Sequence, residues 1–173
     1  MAAGATDPGT EVVDLVDAED RVVGRAPRRV VRRDKLLHRG VGVLCRNSAG
    51  EIYVHRRTDT KDVFPGMYDM LAGGVVSAGE TYEATARREI AEELGIVGPE
   101  PRLLFKHRYT GADNPSWIAI FEVVWDGPIR HQAEEIAWGA FLTPDELLRK
   151  LDEWPFVPDS LEGFRLYRAG KLP

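Results

Sequence analysis

At 173 residues, with 43% apolar and 29% charged side chains, the chain has the content of a soluble globular protein and the length to bury a core. A net charge of −5 argues against a broad surface for a nucleic acid polymer, but leaves open a nucleotide as a small substrate, because a metal can bridge acidic side chains to phosphate. The single cysteine, Cys45, excludes an internal disulfide; no run approaches membrane-spanning length and the first residues lack a signal peptide's basic and apolar regions, so a cytoplasmic protein without membrane contact is expected.

Residues 1–10 are small and polar and read as a disordered tail, which leaves 11–173 as a single domain. Glu11 to Val16 alternate weakly and, across a turn at Ala18-Glu-Asp20, Arg21 to Arg25 supply the return strand of a hairpin. Arg28 to Arg33 is a basic run, read as a solvated segment. Val41 to Arg46 and Ile52 to Arg57 are strands joined by the turn cluster Asn47-Ser-Ala-Gly50. Cys45 lies inside the first of them and reads as buried filler rather than a nucleophile. Thr58 to Pro65 is a loop, and Tyr68 to Ala72 a short strand feeding Gly73-Gly74, where unusual backbone angles and close approach of a ligand are both permitted.

Residues Glu83 to Leu94 are mostly helix formers without Gly or Pro. Thr81 stands where an N-cap belongs and Gly95 where a left-handed C-cap belongs. Within that helix Glu89, Glu92 and Glu93 fall at i, i+3 and i+4 and share a face. Three carboxylates there repel one another unless a positive charge sits among them. A hard divalent cation with oxygen ligands supplies it and keeps positions open for substrate phosphates. Ala84, Ile90 and Leu94 are left to pack into a core. Downstream, Arg102 to Thr110 and Trp117 to Trp125 form another strand pair, and Glu135 to Leu142 a further strand. Thr143-Pro-Asp-Glu starts a helix, and a last helix runs over Leu161 to Arg168. Tyr109, Trp117, Phe121 and Trp138 are candidates for stacking on a base, although aromatic side chains near strands usually belong to the core. Strands mixed with two or three helices suggest a sheet covered on both sides.

From Gly74 to Ile96 the chain follows G-x5-E-x7-R-E-U-x-E-E-x-G-U, with U apolar; Gly74, Glu80, Arg88, Glu89, Ile90, Glu92, Glu93, Gly95 and Ile96 fill every fixed position. This resembles the Nudix box, the signature of diphosphate hydrolases. The resemblance implies an α/β/α sandwich with a mixed central sheet. It also implies magnesium, or manganese, as cofactor and a small-molecule diphosphate as substrate. The family's metal ligands carry over onto Glu89, Glu92 and Glu93, with the Gly74 carbonyl as a further ligand. Arg88 orients the glutamates, and Glu80 buttresses loop and helix. The general base is either Glu89 or a glutamate beyond the box, for which Glu135 in the Glu134-Glu135 pair is the candidate.

A second resemblance spans about residues 35–70. Leu37-His38-Arg39, Arg56-Arg57, Asp59-Thr-Lys61 and Phe64-Pro-Gly-Met-Tyr68 are similar to isopentenyl diphosphate isomerase, a divergent Nudix-fold enzyme. It implies that Arg57 and Lys61 bind diphosphate. The isomerase's catalytic cysteine falls on Gly73 here, and two of its metal-binding histidines on Val75 and Val31, so hydrolysis rather than isomerisation is expected.

Overall fold

The computed structural model describes residues 8–170. Eight strands and four helices follow in the order β1 (Val12–Val16), β2 (Val22–Pro27), α1 (Arg28–Asp34), β3 (His38–Arg46), β4 (Ile52–Arg57), β5 (Tyr68–Asp69), α2 (Tyr82–Leu94), β6 (Arg102–Tyr109), β7 (Ser116–Val124), β8 (Ile136–Leu142), α3 (Pro144–Glu153) and α4 (Pro158–Arg168). All the strands join one mixed sheet: β3 runs parallel to β7 along its whole length, whereas β1–β2, β4–β8 and β6–β7 are antiparallel.

Strand alternation makes the layers. On β3, Val41, Val43 and Cys45 face one side of the sheet, together with Ala119, Phe121 and Val123 of β7. Ala86, Ile90 and Leu94 of α2 pack against that side. On the other side, Leu44 of β3 and Ile118 and Ile120 of β7 meet Leu147 of α3 and Phe164 of α4. The result is the expected α/β/α arrangement with a mixed central sheet.

Four local expectations need correction. The basic run is helix α1, not a solvated segment: Val31 is buried against Val13 and Ala26, and Lys35, in the left-handed region at φ 54°, ends the helix. The strand expected over Tyr68 to Ala72 pairs with β4 only at Tyr68 and Asp69. The chain then crosses towards β3, where Ala72 bridges Val43. Of the N-terminal tail, residues 1–7 lie outside the described residues, and residues 8–10 form a short 3₁₀ turn. Finally, Ala86 rather than Ala84 packs beneath α2, because positions 86, 90 and 94 recur at helical spacing and 84 does not.

Leucine substitutions at the two alanines separate them. Ala86 is completely buried, so Ala86→Leu should lower stability by about 1–3 kcal/mol through overpacking, with a clearly smaller loss for the half-buried Ala84→Leu. Urea unfolding midpoints measure both; equal losses would mean that α2 is rotated relative to the sheet.

Candidate functional site

The chain enters α2 through a turn tied to β1, where Gly79 N–H donates to Asp14 Oδ2 at 3.0 Å. Thr81 caps the helix by accepting from Ala84 N–H at 3.1 Å, and Gly95, at φ 70°, ends it. These two ends fix the rotation of the helix and aim Glu89 and Glu93, one turn apart, at Gly73-Gly74.

The two glycines serve close approach and not unusual angles, since neither is in the left-handed region. A Cβ on Gly73 would overlap the Val41 carbonyl, and one on Gly74 would lie 2.7 Å from Glu89 Oε1. Gly73 N–H donates to Glu93 Oε2 at 3.2 Å. Glu89 and Glu93 are accordingly 8% and 7% exposed, whereas Glu92 stands at the exposed rim.

Arg88 ties the carboxylates together. Its Nη1 donates to Glu89 Oε1 at 2.7 Å and to Glu92 Oε2 at 3.4 Å; its Nε and Nη2 donate to the two oxygens of Glu80 at 3.2 and 3.1 Å. The hydrogen bonds it donates to Glu80, and the carboxylate of Glu89, raise the pKa of Arg88 above its already high ordinary value. Burial alone would raise Glu80, yet the bonds from Arg88 hold it below the carboxylate range.

Glu93 is differently placed. Burial, and then the neighbouring Glu89, push its carboxyl up to about 8. Burial raises Glu89 too, against the pull of Arg88. Two buried carboxylates with so little positive charge beside Glu93, and hard oxygen donors throughout, suit a divalent cation. The Gly74 carbonyl accepts from Val41 N–H at 2.9 Å and keeps one lone pair for a metal. No three His, Cys, Asp or Glu side chains among the described residues converge to hold an ion as they stand. Arg88 sits between Glu89 and Glu92 instead, so Glu92 would have to swing in from the rim.

The carboxylates open into a cleft of about 490 Å³ that also takes in Glu11, Arg28, Lys61, Gln132 and Glu135. The loop carrying Glu135 is pinned to the end of α2: Arg130 N–H donates to the Leu94 carbonyl at 2.9 Å and Gln132 N–H to that of Glu93 at 3.1 Å. Glu135 lines the cleft and Glu134 is exposed beside it. Lys61 Nζ pairs with the Glu135 carboxylate. Burial, and then Arg57, push Lys61 down to about 8.

Arg57 does not reach this cleft. It lines an adjoining cavity, where its Nε and Nη2 donate to the carbonyls of Val63 and Phe64 and so hold the loop after β4. His38 is buried in the wall of that cavity, with Nδ1 paired to the Leu36 carbonyl at 2.9 Å. The four candidate stacking residues line neither cavity. Tyr109 and Phe121 are core, Trp117 Nε1 donates to the Asp17 carbonyl, and Trp138, 41% exposed, packs edge-on to Tyr68 and Trp154. Cys45 is buried and its thiol is pushed up to about 12, as filler should be.

Arg28 and Arg32 were not anticipated. Their spacing around Val31 is that of a helix with one buried position, a signal that the density of arginine obscures.

The chain matches the NUDIX domain over residues 36–162, from just before β3 into α4. It belongs to the Nudix hydrolase family. An uncharacterized Nudix hydrolase of Streptomyces coelicolor is 48% identical over 168 residues, covering 96% of this chain and 93% of that protein. Another, from Pseudomonas aeruginosa, is 43% identical over 157 residues, covering 91% and 93%. Among solved structures, a protein of Deinococcus radiodurans superposes with a TM-score of 0.76 at 31% identity, covering 90% of this chain and 98% of that one. Nudix hydrolases generally use divalent metal ions, and the buried Glu89–Glu93 pair fits one. No helix among the described residues is long and apolar enough to cross a membrane.

The burial of Glu93 gives the metal-free protein a pH signature. Its carboxyl titrates near 8 when folded against an ordinary 4.5, so between those values the folded state holds a proton that the unfolded state has released. Its contribution to stability is full below about pH 4.5 and is lost as pH rises through about 8. With chelator present, the melting temperature of the wild type should therefore fall more steeply from pH 5 to pH 8 than that of Glu93→Gln, which cannot ionise. Parallel profiles would show that the carboxyl is solvated.

Proposed function

We propose that the protein is a metal-dependent hydrolase that cleaves a diphosphate linkage in a nucleoside diphosphate derivative or related small molecule. Magnesium is the expected ion and manganese the alternative. The observation that carries this reading is the buried Glu89–Glu93 pair, backed by side-chain-free Gly73-Gly74 and open to a cleft that also holds Lys61.

Glu89 and Glu93, with Glu92 from the rim and the free lone pair of the Gly74 carbonyl, would hold the metal. When bound, the ion neutralises phosphate charge and acidifies water. Arg88 keeps Glu89 oriented and, through Glu80, anchors the helix to the loop before it. Water attacks one phosphorus; the new P–O bond forms as the bridging P–O bond breaks, and the diphosphate leaves as two separate phosphate-bearing products. The water's proton goes to a carboxylate in the cleft, Glu89 or Glu135, and loss of the base costs about 100-fold or more. Lys61 and Arg57 meet the substrate's negative charge. Lys61 has to exchange Glu135 for phosphate to do so, and that exchange also frees Glu135. The arrangement does not suit isomerase chemistry: a cysteine side chain at position 73 would collide with the backbone of β3, and Cys45 is buried in the core.

Glu92→Gln and Glu93→Gln should each weaken magnesium binding and reduce turnover by at least about tenfold, since each replaces a charged oxygen ligand with a neutral one. A panel of nucleoside diphosphate derivatives, assayed for phosphate-bearing products with magnesium, manganese or chelator, should give hydrolysis only with metal. Isopentenyl diphosphate should not be isomerised, and Cys45→Ala should leave hydrolysis nearly intact. Metal affinity unchanged in both glutamine variants, or an isomerase activity that vanishes in Cys45→Ala, would overturn the assignment.

A further inference from the structure

Next to the acidic cleft is a smaller cavity of about 130 Å³, enclosed by α1, β3 and the start of α4. The two share a wall: Arg28, Lys61 and the Gly73–Val75 strip line both. Their characters are opposite. Glu89, Glu92 and Glu93 line only the cleft, and Arg32 and Arg57 only the smaller cavity.

The cavity's positive charge is only partly answered within the protein. The Nε of Arg28 is buried and has no hydrogen-bond partner among the described residues, although its Nη1 reaches Glu11 at 3.2 Å. Arg57 spends its donors on neutral carbonyls. Arg32 pairs with Asp62, which is more than half exposed. Burial, and then the proximity of Arg28, lower the pKa of Arg32 to about 10, the mark of cations crowded in a poorly solvated space. Two carboxylates face the same cavity. Asp69 is pushed up to about 7 by burial and accepts from Leu71 N–H, while Asp159 accepts from Asn114 Nδ2 at 3.0 Å. Glu11, Asp62 and Glu135 pair three of the four cations, so what the cavity offers an anion is not an excess of charge but the unpartnered Arg28 Nε and the Arg57 guanidinium, whose contacts are neutral carbonyls. Arg28 and Arg32 also precede the residues that match the family domain, so α1 brings to the site two cations from outside the matched region.

We infer that this cavity is a second anion subsite, which takes a phosphate-monoester group of the substrate distinct from the diphosphate cut at the glutamates. The inference rests on the diphosphate-hydrolase reading for the identity of the cleft, and it narrows the substrate class to compounds carrying a further phosphoryl group on the part that lies across Gly73–Val75. Guanidinium forks suit tetrahedral phosphoryl oxygens, and a buried arginine nitrogen without a partner is satisfied by such an oxygen.

Inorganic phosphate is the probe, titrated into the full-length protein by calorimetry and by thermal shift, with chelator present and chloride matching the ionic strength. Wild type should bind and be stabilised without metal. Arg32→Gln should weaken binding by about tenfold or more, the effect of losing a charged hydrogen bond. Arg32→Lys, which keeps the charge but not the fork, should fall between the two and serves in place of Arg32→Gln should that variant not fold. Arg87→Gln, at an exposed arginine that lines neither cavity, should bind phosphate as wild type does. Acetate should bind more weakly than phosphate. Absence of phosphate binding, equal binding by wild type and the position-32 variants, or acetate binding as tightly as phosphate would overturn the subsite. Because neither metal nor turnover enters the measurement, its failure is separate from any failure of the hydrolase assay.

Discussion

Two carboxylates one helical turn apart are held almost out of water against a stretch of backbone with no side chains, and most of the surrounding structure follows from that constraint. Glu89 can lie against this strip only because Gly74 lacks a Cβ, and the strip itself can lie against β3 only because Gly73 lacks one. The two carboxylates keep their place because Thr81 and Gly95 set the start and end of α2 and because Ile90 and Leu94 lock its other face into the core. Burying carboxylates is unfavourable without partners. Arg88 partly offsets this for Glu89, while Glu93 has one backbone N–H and the nearby charge of Lys61, which do not outweigh its burial.

Charge is unevenly divided across the site. Three of the cleft's acids come from α2 and two more, Glu11 and Glu135, from the residues just before β1 and β8; the bases of the smaller cavity come from α1, the end of β4 and the loop after it; and the glycine strip lines both. A cation on the acid side and phosphate oxygens towards the basic side would complement both without rearranging the sheet. The Lys61–Glu135 pair joins the two sides: a cation would compete for Glu135 and a phosphate for Lys61.

The box helix was legible in the sequence because its information is local. Cap residues, carboxylate spacing and the terminal glycine all lie within one uninterrupted segment, and the hairpins β1–β2 and β6–β7 were legible from alternation and turn residues, whereas the long-range pairs β3–β7 and β4–β8 were not. Three further things were not. Helix α1 was hidden because arginine-rich segments read as solvated, and only its packing on Val13 shows that Val31 anchors it. The reason for Gly73-Gly74 was half visible: a sequence announces the missing side chain but not that the neighbour is the Val41 carbonyl. That Lys61 reaches both cavities while Arg57, four residues before it, lines only the smaller one depends on a loop path fixed by long-range contacts such as that between Thr58 and Glu135.

The central claim is that α2 and the glycine strip hold a divalent ion, and locating that ion tests it most directly. In crystals grown with manganese, the anomalous signal should place an ion against Glu89 and Glu93, beside the Gly74 carbonyl, with Glu92 drawn in from the rim. Manganese found only at surface carboxylates, with Glu93 still bonded to Gly73 N–H and Arg88 still between Glu89 and Glu92, would contradict it.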